Sequence, residues 1–393
     1  MLLGNMTTVG VDLGTTGMRA VEIGWKDGKP FVARWTAFDF ETPVLDWSVV
    51  DTGELGQKIR LSLERSGIRG PWAAHGIAGE AVAPQYFNFP KLLPEDVEEA
   101  VRIEVEAGLP FRAEDALISY VCFPDQRSGT GHAVALDAGE GEAAEAPAPM
   151  EVGPDVGAEV ADAPEGGPQE RQKTRTHGIA IAADNGLVES RLEVLRQAGL
   201  EAFCVEPDAT ACANAYVATD NTNAVAGTTA ILNVGYRFSN IALVHDGTLL
   251  VRDVPCGGHE LTRAISQTLS MQETEAERQK RAHWRDGPKA AGAIGDRMGE
   301  IVETGLRELS DRLQDSIQYW VGERLVPNID RMLLTGGGAQ VRELPEILSK
   351  ALDLPVERWF PAQLPKGKKN EQQAWDARLT TAFGLALRRF PRK

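Results

Sequence analysis

The stretch Gly10-Val11-Asp12-Leu13-Gly14-Thr15-Thr16-Gly17 decides how the rest of the chain is read. Val9, Val11 and Leu13 alternate with Gly10 and Asp12, a period-two pattern that predicts a strand. Gly14 to Gly17 supplies a tight turn, and Ala20, Val21 and Ile23 resume an extended run. The strand therefore delivers Asp12 to the mouth of a glycine turn. Glycines let backbone N–H groups come close to a phosphate, and the Thr15 and Thr16 hydroxyls add hydrogen bonds. Asp12 is then placed to hold Mg²⁺ through water. Taken alone, the stretch reads equally well as a plain β-hairpin.

Two later stretches have related character. The run Ile231 to Leu243 repeats the strand, glycine turn (Gly235) and strand. Leu333-Leu334-Thr335-Gly336-Gly337-Gly338-Ala339 puts three glycines after a buried strand, leaving backbone exposed where a flat ring can lie. Each is also an ordinary turn when read singly. No GxxxxGK[ST] occurs, so none of the three is a Walker loop.

Composition bounds the classes open to this chain. With 393 residues it is long enough for two to three domains of about 150 residues each. Hydrophobic residues make up 42% and charged residues 25%, which excludes global disorder. The formal charge is 41 − 57 = −16, which argues against a nucleic-acid partner. Ten acidic residues and no Lys or Arg lie between Gly129 and Glu170, so most of that charge belongs to one segment. Residues 128–173, without an aromatic side chain and with a single Leu, are expected to be a disordered acidic loop. Cys122, Cys204, Cys212 and Cys256 lack CxxC spacing, so neither a zinc site nor a disulfide framework is expected. No apolar run reaches about 18 residues, and Met1 to Thr8 is too short and polar for a secretory signal. The expected location is the cytoplasm.

Periodicity fills in the order of elements. Helices are predicted over Pro94–Gly108, Leu187–Ala198 (closed by Gly199), Asp296–Leu325 and about Ala374–Arg389. Strands are predicted over Phe31–Phe40, Thr229–Val234, Ile241–His245 and Met332–Leu334. Their alternation argues for α/β layers.

The order of the three glycine turns, the last after a long helix, resembles the actin-like ATPase superfamily, and within it the PilM family of type IV pilus assembly proteins. The run Phe89-Pro90-Lys91-Leu92-Leu93-Pro94-Glu95-Asp96-Val97, with Leu109-Pro110-Phe111 after it, is similar to that family's inserted subdomain. Gly178–Ala183 and Arg196–Leu200 resemble its return to the first lobe. Asp253-Val254-Pro255-Cys256-Gly257-Gly258 resembles its strand entering a helix, and Gly384-Leu385-Ala386-Leu387-Arg388 its C-terminal helix. The implied fold is α/β, an actin-like (ribonuclease H-like) two-lobed ATPase fold with a small inserted α+β subdomain. The implied layout is 7–80 and 181–225 for the first lobe and 81–180 for the insertion. The second lobe takes 226–370, with a helical part at 266–292, and 371–393 returns to the first lobe.

The resemblance also implies roles. Asp12, Gly14, Thr15 and Thr16 would form the first phosphate hairpin, with Arg19 where the family often has Lys. Gly235, Ser239 and Asn240 would belong to the second. Glu277 and Lys280, in an AExxK pattern, would contact the nucleoside; on sequence alone they read as a solvated i, i+3 pair. Gly336, Gly337 and Gly338 would line the adenosine. Glu206 sits where the MreB branch positions its water, although it also reads as a strand-end carboxylate at a turn. Asn233 stands where many members have Asp, and Tyr236 and Phe238 are bulky beside the phosphate position, so the resemblance implies ATP and Mg²⁺ binding with weak or no hydrolysis.

The implied function is a cytoplasmic nucleotide-binding scaffold. It would dock a short N-terminal peptide of a PilN-like inner-membrane protein and so lie at the membrane through a partner, with self-association left open. A division or cytoskeletal ATPase of the FtsA or MreB type and a sugar-kinase-branch phosphotransferase are the other readings.

Overall fold

The computed structural model describes residues 7–26, 29–123, 175–219, 227–245, 248–286, 295–322, 326–361 and 375–389. The acidic segment 128–173 lies outside them. The first lobe is built on a five-stranded sheet in the order β3-β2-β1-β4-β8. Its strands are β1 (Thr8–Gly14), β2 (Gly17–Lys26), β3 (Lys29–Asp39), β4 (Trp72–Ile77) and β8 (Glu201–Pro207). A second sheet, β11-β10-β9-β12-β13, is formed by β9 (Thr229–Val234), β10 (Ser239–His245), β11 (Thr248–Val254), β12 (Arg331–Thr335) and β13 (Val356–Arg358). The two follow one plan: an antiparallel three-strand meander, then two parallel strands added beside its first strand.

A third sheet, β5-β7-β6, comprises β5 (Val82–Pro90), β6 (Ala116–Cys122) and β7 (Arg175–Asp184), and carries α2 (Pro94–Glu106). Pro94 opens α2 and Glu95 and Asp96 occupy its first turn, complementing the positive helix end. Val97, Val101 and Val105 bury its one apolar face against Ala180 and Ala182. The family resemblance implies that Gly178–Ala183 belong to the return to the first lobe. In the structure these residues lie in the central strand of the small sheet, paired on both sides. Within that strand Gly178 is a packing requirement, because a Cβ there would meet Val121 O at 2.1 Å and the Phe87 ring at 2.5 Å. The return begins with α3 (Asn185–Gln197), whose N-cap Asp184 accepts from Leu187 N–H at 2.9 Å.

In the first lobe, α1 (Thr52–Ser66) and α3 cover one sheet face with Ile59, Leu63, Val194 and Leu195. In the second, α5 (Gly258–Leu269), α7 (Gly295–Gly322) and α8 (Leu344–Leu352) bury Leu261, Ile265, Leu306, Leu313 and Leu348 on the outer face. The 3–4 spacing of apolar residues along α7 was legible in sequence; its predicted end at Leu325 lies outside the described residues. α6 (Glu273–Asp286) packs beside α5. Between the sheets lie α4 (Asp208–Thr219) and α9 (Thr380–Ala386).

The last helix is shorter than the predicted Ala374–Arg389. Asp376 caps a separate 3-10 turn at 377–379, accepting from Arg378 N–H at 2.9 Å, and only seven residues then continue as helix. All seven are buried. A Cβ on Gly384 would sit 1.8 Å from Ala211 O of α4, and one on Gly10 would sit 1.9 Å from Ala382 O of α9. Glycine at both positions is thus a packing requirement. Gly384→Ala should therefore cost about 3 kcal/mol, from forced backbone displacement. Gly322→Ala, with no described residue within 4 Å of the added methyl, should leave stability unchanged or slightly raised; urea melts of the two variants measure the contrast.

Candidate functional site

The first hairpin forms as the sequence predicts, with Gly14 opposite Gly17. Gly17 must be glycine because a Cβ would meet Phe38 O at 2.5 Å. The turn's carbonyls are taken by the segment that follows β3: Phe40 N–H donates to Thr16 O at 3.0 Å and Val44 N–H to Thr15 O at 2.7 Å. The Thr15 and Thr16 hydroxyls have no partner among the described residues. Arg19 lies across from Asp12 in the register, but its guanidinium is committed to the sheet. It donates to Met18 O, to Phe38 O and to the Asp39 carboxylate at 2.5 Å.

Asp12 sits at a crossing of three strands. The parallel register Val9↔Ala73, Gly10↔Ala74, Val11↔His75 continues toward Asp12 and Gly76, and Gly76 pairs with Glu206 on β8. Paired residues share a face. The space where Gly76 lacks a side chain holds the Asp208 carboxylate, whose Oδ1 lies 2.1 Å from an ideal Cβ on Gly76. Burial pushes the Asp12 carboxyl up to about 6, although Arg19 and Arg191 pull the other way. Burial, then the neighbouring Asp12, pushes Asp208 well above the usual carboxylate range. Arg191 of α3 donates to Leu13 O at 3.2 Å and Gly76 O at 3.4 Å, and its guanidinium lies 4.7 Å from the centre of the Trp47 ring. Beside it, His75 bonds Val11 O through Nδ1 at 2.9 Å and is fully buried. Burial and Arg191 push it down to about 3, so it stays neutral.

Glu206 is placed differently from the water-positioning role the resemblance implies. Its Oε2 accepts from Thr210 at 3.0 Å, from Asn214 at 3.4 Å and from Arg388 in a close ion pair. The carboxylate ties β8 to α4 and to the segment after α9. It is Asp208, two residues on, that approaches Asp12; a carboxylate just past a Pro at a strand-to-helix junction was the sequence signal for it.

The second hairpin is held by its own lobe at the base and by the first lobe at the tip. Ser239 donates to Cys256 O at 2.7 Å and is fully buried. Asn240 donates to Asp253 Oδ1 at 2.6 Å, and Gly79 N–H of the first lobe donates to Asp253 Oδ2 at 2.7 Å. Both side chains are thus engaged inside the protein. Asn233 donates to Asn240 Oδ1 at 3.1 Å and to Thr381 Oγ1 at 3.4 Å, a task a carboxylate cannot perform. At the tip, Gly235 N–H donates to Phe238 O at 3.1 Å, and Arg237 reaches Leu45 O at 2.7 Å and Glu80 at 2.9 Å. Leu45 follows Val44, which holds the first turn. The two glycine turns are therefore joined through neighbouring residues of one short segment.

Glu277 and Lys280 form no solvated pair. They bond at 2.5 Å with side chains 12% and 4% exposed, enclosed between α5 and α6. Lys280 also donates to Gly258 O and Thr262 Oγ1, each at 2.7 Å, and lies 5.0 Å from the centre of the Tyr236 ring. The α5–α6 contact turns the pair inward, which i, i+3 spacing cannot foretell. Burial pushes Lys280 down to about 8. Burial opposes ionisation of Glu277, but Lys280 and hydrogen bonds from Lys280, Thr262 and Arg281 hold it below the usual range.

The third turn divides by role. Gly336 has φ +81° and a Cβ there would strike Asn233 Oδ1 at 2.1 Å; a Cβ on Gly338 would strike Val234 at 2.2 Å. These two are glycines because the turn packs on β9. Gly337, at φ −66°, has nothing within 4 Å of its missing Cβ among the described residues, so its backbone is the open one there. The structure thus brings Asp12, Gly14, Thr15 and Thr16 to one hairpin, links it to the Gly235 turn, and sets Gly336–Gly338 beside β9.

A family profile described as Type IV pilus assembly protein PilM matches residues 165–390. The chain belongs to this family. It is similar to the solved PilM-PilN type IV pilus biogenesis complex, at 20% identity over 97% of each chain with a TM-score of 0.72. It is also similar to the ethanolamine utilization protein EutJ from Carboxydothermus hydrogenoformans, at 16% identity over 98% of this chain and 90% of that one with a TM-score of 0.51. The fold is that of the actin-like ATPases, as the order of glycine turns implied.

Two measurements test the electrostatics. An unfolded His75 titrates near 6.5 and the folded one near 3, so the unfolded chain takes the proton first and stability falls as pH drops below 6.5. Relative to His75→Gln, the PilM-family chain should lose about 2 kcal/mol between pH 7 and pH 5 in denaturant melts. Glu277→Gln strands a buried ammonium and should cost about 3 kcal/mol. Adding Lys280→Met should restore most of that loss.

Proposed function

We propose that this PilM-family chain is a nucleotide-binding scaffold. ATP with Mg²⁺ would lie between the two glycine hairpins and hold the lobes together. The observation that carries this reading is the link from Thr15 through Val44 and Leu45 to Arg237, which sets both turns at one junction between the lobes. The residues fit the ligand in part. The Asp12 carboxylate accepts no hydrogen bond among the described residues, and burial drives it to about 6, so a cation would relieve a real cost. The Thr15 and Thr16 hydroxyls suit phosphate oxygens, and Gly337 leaves a bare surface for a ring. Arg19, Ser239 and Asn240 already have protein partners, so they would act by shaping the hairpins. The Glu277–Lys280 pair stands behind Tyr236, on the side where a nucleoside would meet α5 and α6.

Mg²⁺, when bound, supplies charge neutralisation for the phosphates. Slow or absent hydrolysis is part of the proposal. Glu206 is engaged by Arg388, and the Asn233 amide serves Asn240 and Thr381. Neither is disposed to orient a water.

The second part of the proposal is docking of a short cytoplasmic segment of a membrane protein like the PilN of the related complex. This would place the chain at the inner membrane through its partner; no helix among the described residues is long and apolar enough to cross a bilayer. If nucleotide favours the docking form, affinity for a PilN-like N-terminal peptide should rise with Mg·ATP, with up to about 2.7 kcal/mol available at 100-fold saturation.

Gly337→Leu is the sharpest test. Its φ, and the space left around it by the described residues, tolerate a side chain, so the melting midpoint should stay within about 0.5 kcal/mol of wild type. A fluorescent ATP analogue should nevertheless bind at least tenfold more weakly, by roughly 1.4 kcal/mol. Unchanged binding by the variant, or none by wild type, would sink the nucleotide reading.

A further inference from the structure

Residues 40–49 run from the end of β3 toward α1 outside any sheet, yet they are tied to three separate parts of the molecule. The first tie is to the first glycine turn. Phe40 and Val44 N–H groups donate to Thr16 O and Thr15 O, and both side chains pack on the first-lobe core. The second tie crosses to the other lobe, where Arg237 donates to Leu45 O at 2.7 Å. The third is Trp47, buried in a short 3-10 turn that Asp46 caps by accepting from Ser48 N–H at 2.8 Å. The Trp47 ring covers the Arg191 guanidinium, 4.7 Å from the ring centre.

The residue beneath Trp47 is itself a clamp. The parallel ladder between β1 and β4 ends at Val11 and His75. Just past that end, Leu13 O and Gly76 O both accept from one nitrogen, Arg191 Nη1. One guanidinium thus takes over where the rungs stop and sets the spacing of the two strands beside Asp12. Arg191 is buried too, so its charge acts on Asp208 and Asp12 through protein rather than through water.

We propose that residues 40–49 are a strap that carries the position of the second lobe to the first glycine hairpin and to Arg191 behind it. The three ties differ in strength. Phe40, Val44 and Trp47 are backed by packing on the first-lobe core. The tie that crosses the lobes is not: Arg237 is 35% exposed and its partner Glu80 72%, so the contact breaks and re-forms at small cost. Leu45 stands one residue from Val44 and two from Trp47. A change in lobe separation therefore pulls at Leu45, and from there acts on Thr15 through Val44 and on Arg191 through Trp47. The inference deepens the preceding proposal, from which it takes only the expectation that nucleotide draws the lobes together.

Hydrogen exchange of the full chain, read by mass spectrometry with and without Mg·ATP, tests the strap. In the ligand-free chain Arg237→Ala should speed exchange about threefold across 40–49 and also in the first hairpin at 14–18, the loss expected of one exposed tie. Glu80→Gln, which keeps the bond to Leu45 O, should exchange as wild type does. A change confined to 235–238, or no change at all, would overturn the inference, because the tie would then be local. Mg·ATP should slow exchange at 14–18 in wild type and in Arg237→Ala alike, but at 40–49 in wild type alone. Equal slowing of 40–49 in both chains would overturn the strap and leave nucleotide binding standing. If Mg·ATP slows neither segment in wild type while ligand-free Arg237→Ala still loosens both, the strap holds and the nucleotide reading falls.

Discussion

Helix α9 sits where two backbones leave no room for a methyl group, and the rest of the molecule is arranged around that contact. On one side Gly10 of β1 meets Ala382 O and Ala386 N; on the other Gly384 meets Ala211 O of α4. Thr8 donates to Ala386 O at 2.6 Å, Thr380 bonds Thr335 at 2.6 Å, and Thr381 accepts from Asn233. A seven-residue helix is too short to be stable alone. It exists because every face is packed, and it holds β1 of one lobe and β9 of the other at fixed separation. The two strands that lead into the glycine hairpins therefore start from one shared support.

Above that support the lobes touch again at their rims. Gly79 N–H donates to Asp253 and Arg237 reaches Leu45 and Glu80, while Tyr86 OH, on β5 of the inserted sheet, bonds the backbone of Val251. These contacts differ in kind. The Asp253 bond is buried and charge-assisted, and it costs the protein a carboxyl that burial drives up to about 6. The Arg237 contacts lie in solvent, where an ion pair contributes little. The buried support thus fixes where the lobes join, while the exposed tip can part and re-form at small cost. A ligand between the hairpins would act on the weaker of the two.

What was legible in sequence was whatever depends on local period and turn chemistry. The alternation Val9, Val11, Leu13 and the glycine turn gave β1 and β2; the four-residue spacing of Val97, Val101 and Val105 gave α2. Side-chain commitments across elements were not legible. Arg19 turns to Asp39 on a strand whose register no single sequence fixes. Lys280 is enclosed because α5 lies over α6, so a pair that reads as solvated became a buried one. Glu206 and Asp208 are two residues apart, yet the strand ends between them. One carboxylate goes to Arg388 and the other to the cleft.

The repeated sheet plan makes the chemical asymmetry of the lobes meaningful. Asp12 and Asn233 hold matching places, each two residues before the glycine of its turn and each on the first strand of its meander. Across the first sheet the row runs Asp12, Arg19, Ala37; across the second it runs Asn233, Asn240, Asp253. The first lobe keeps its carboxylate on the central strand, next to α9 and Asp208. The second has moved its carboxylate to the outer strand, where Gly79 N–H and Asn240 satisfy it. Were Asn233 also an Asp, a further charge would join Asp12 and Asp208 around one short helix, with Arg19, Arg191 and Arg388 already engaged. Desolvation would then force a proton onto one of them. An amide at 233 avoids that, and by donating to Asn240 and Thr381 it locks the second hairpin to α9. The amide that keeps a negative charge from the junction thus also supplies one of the bonds that tie the second hairpin to α9.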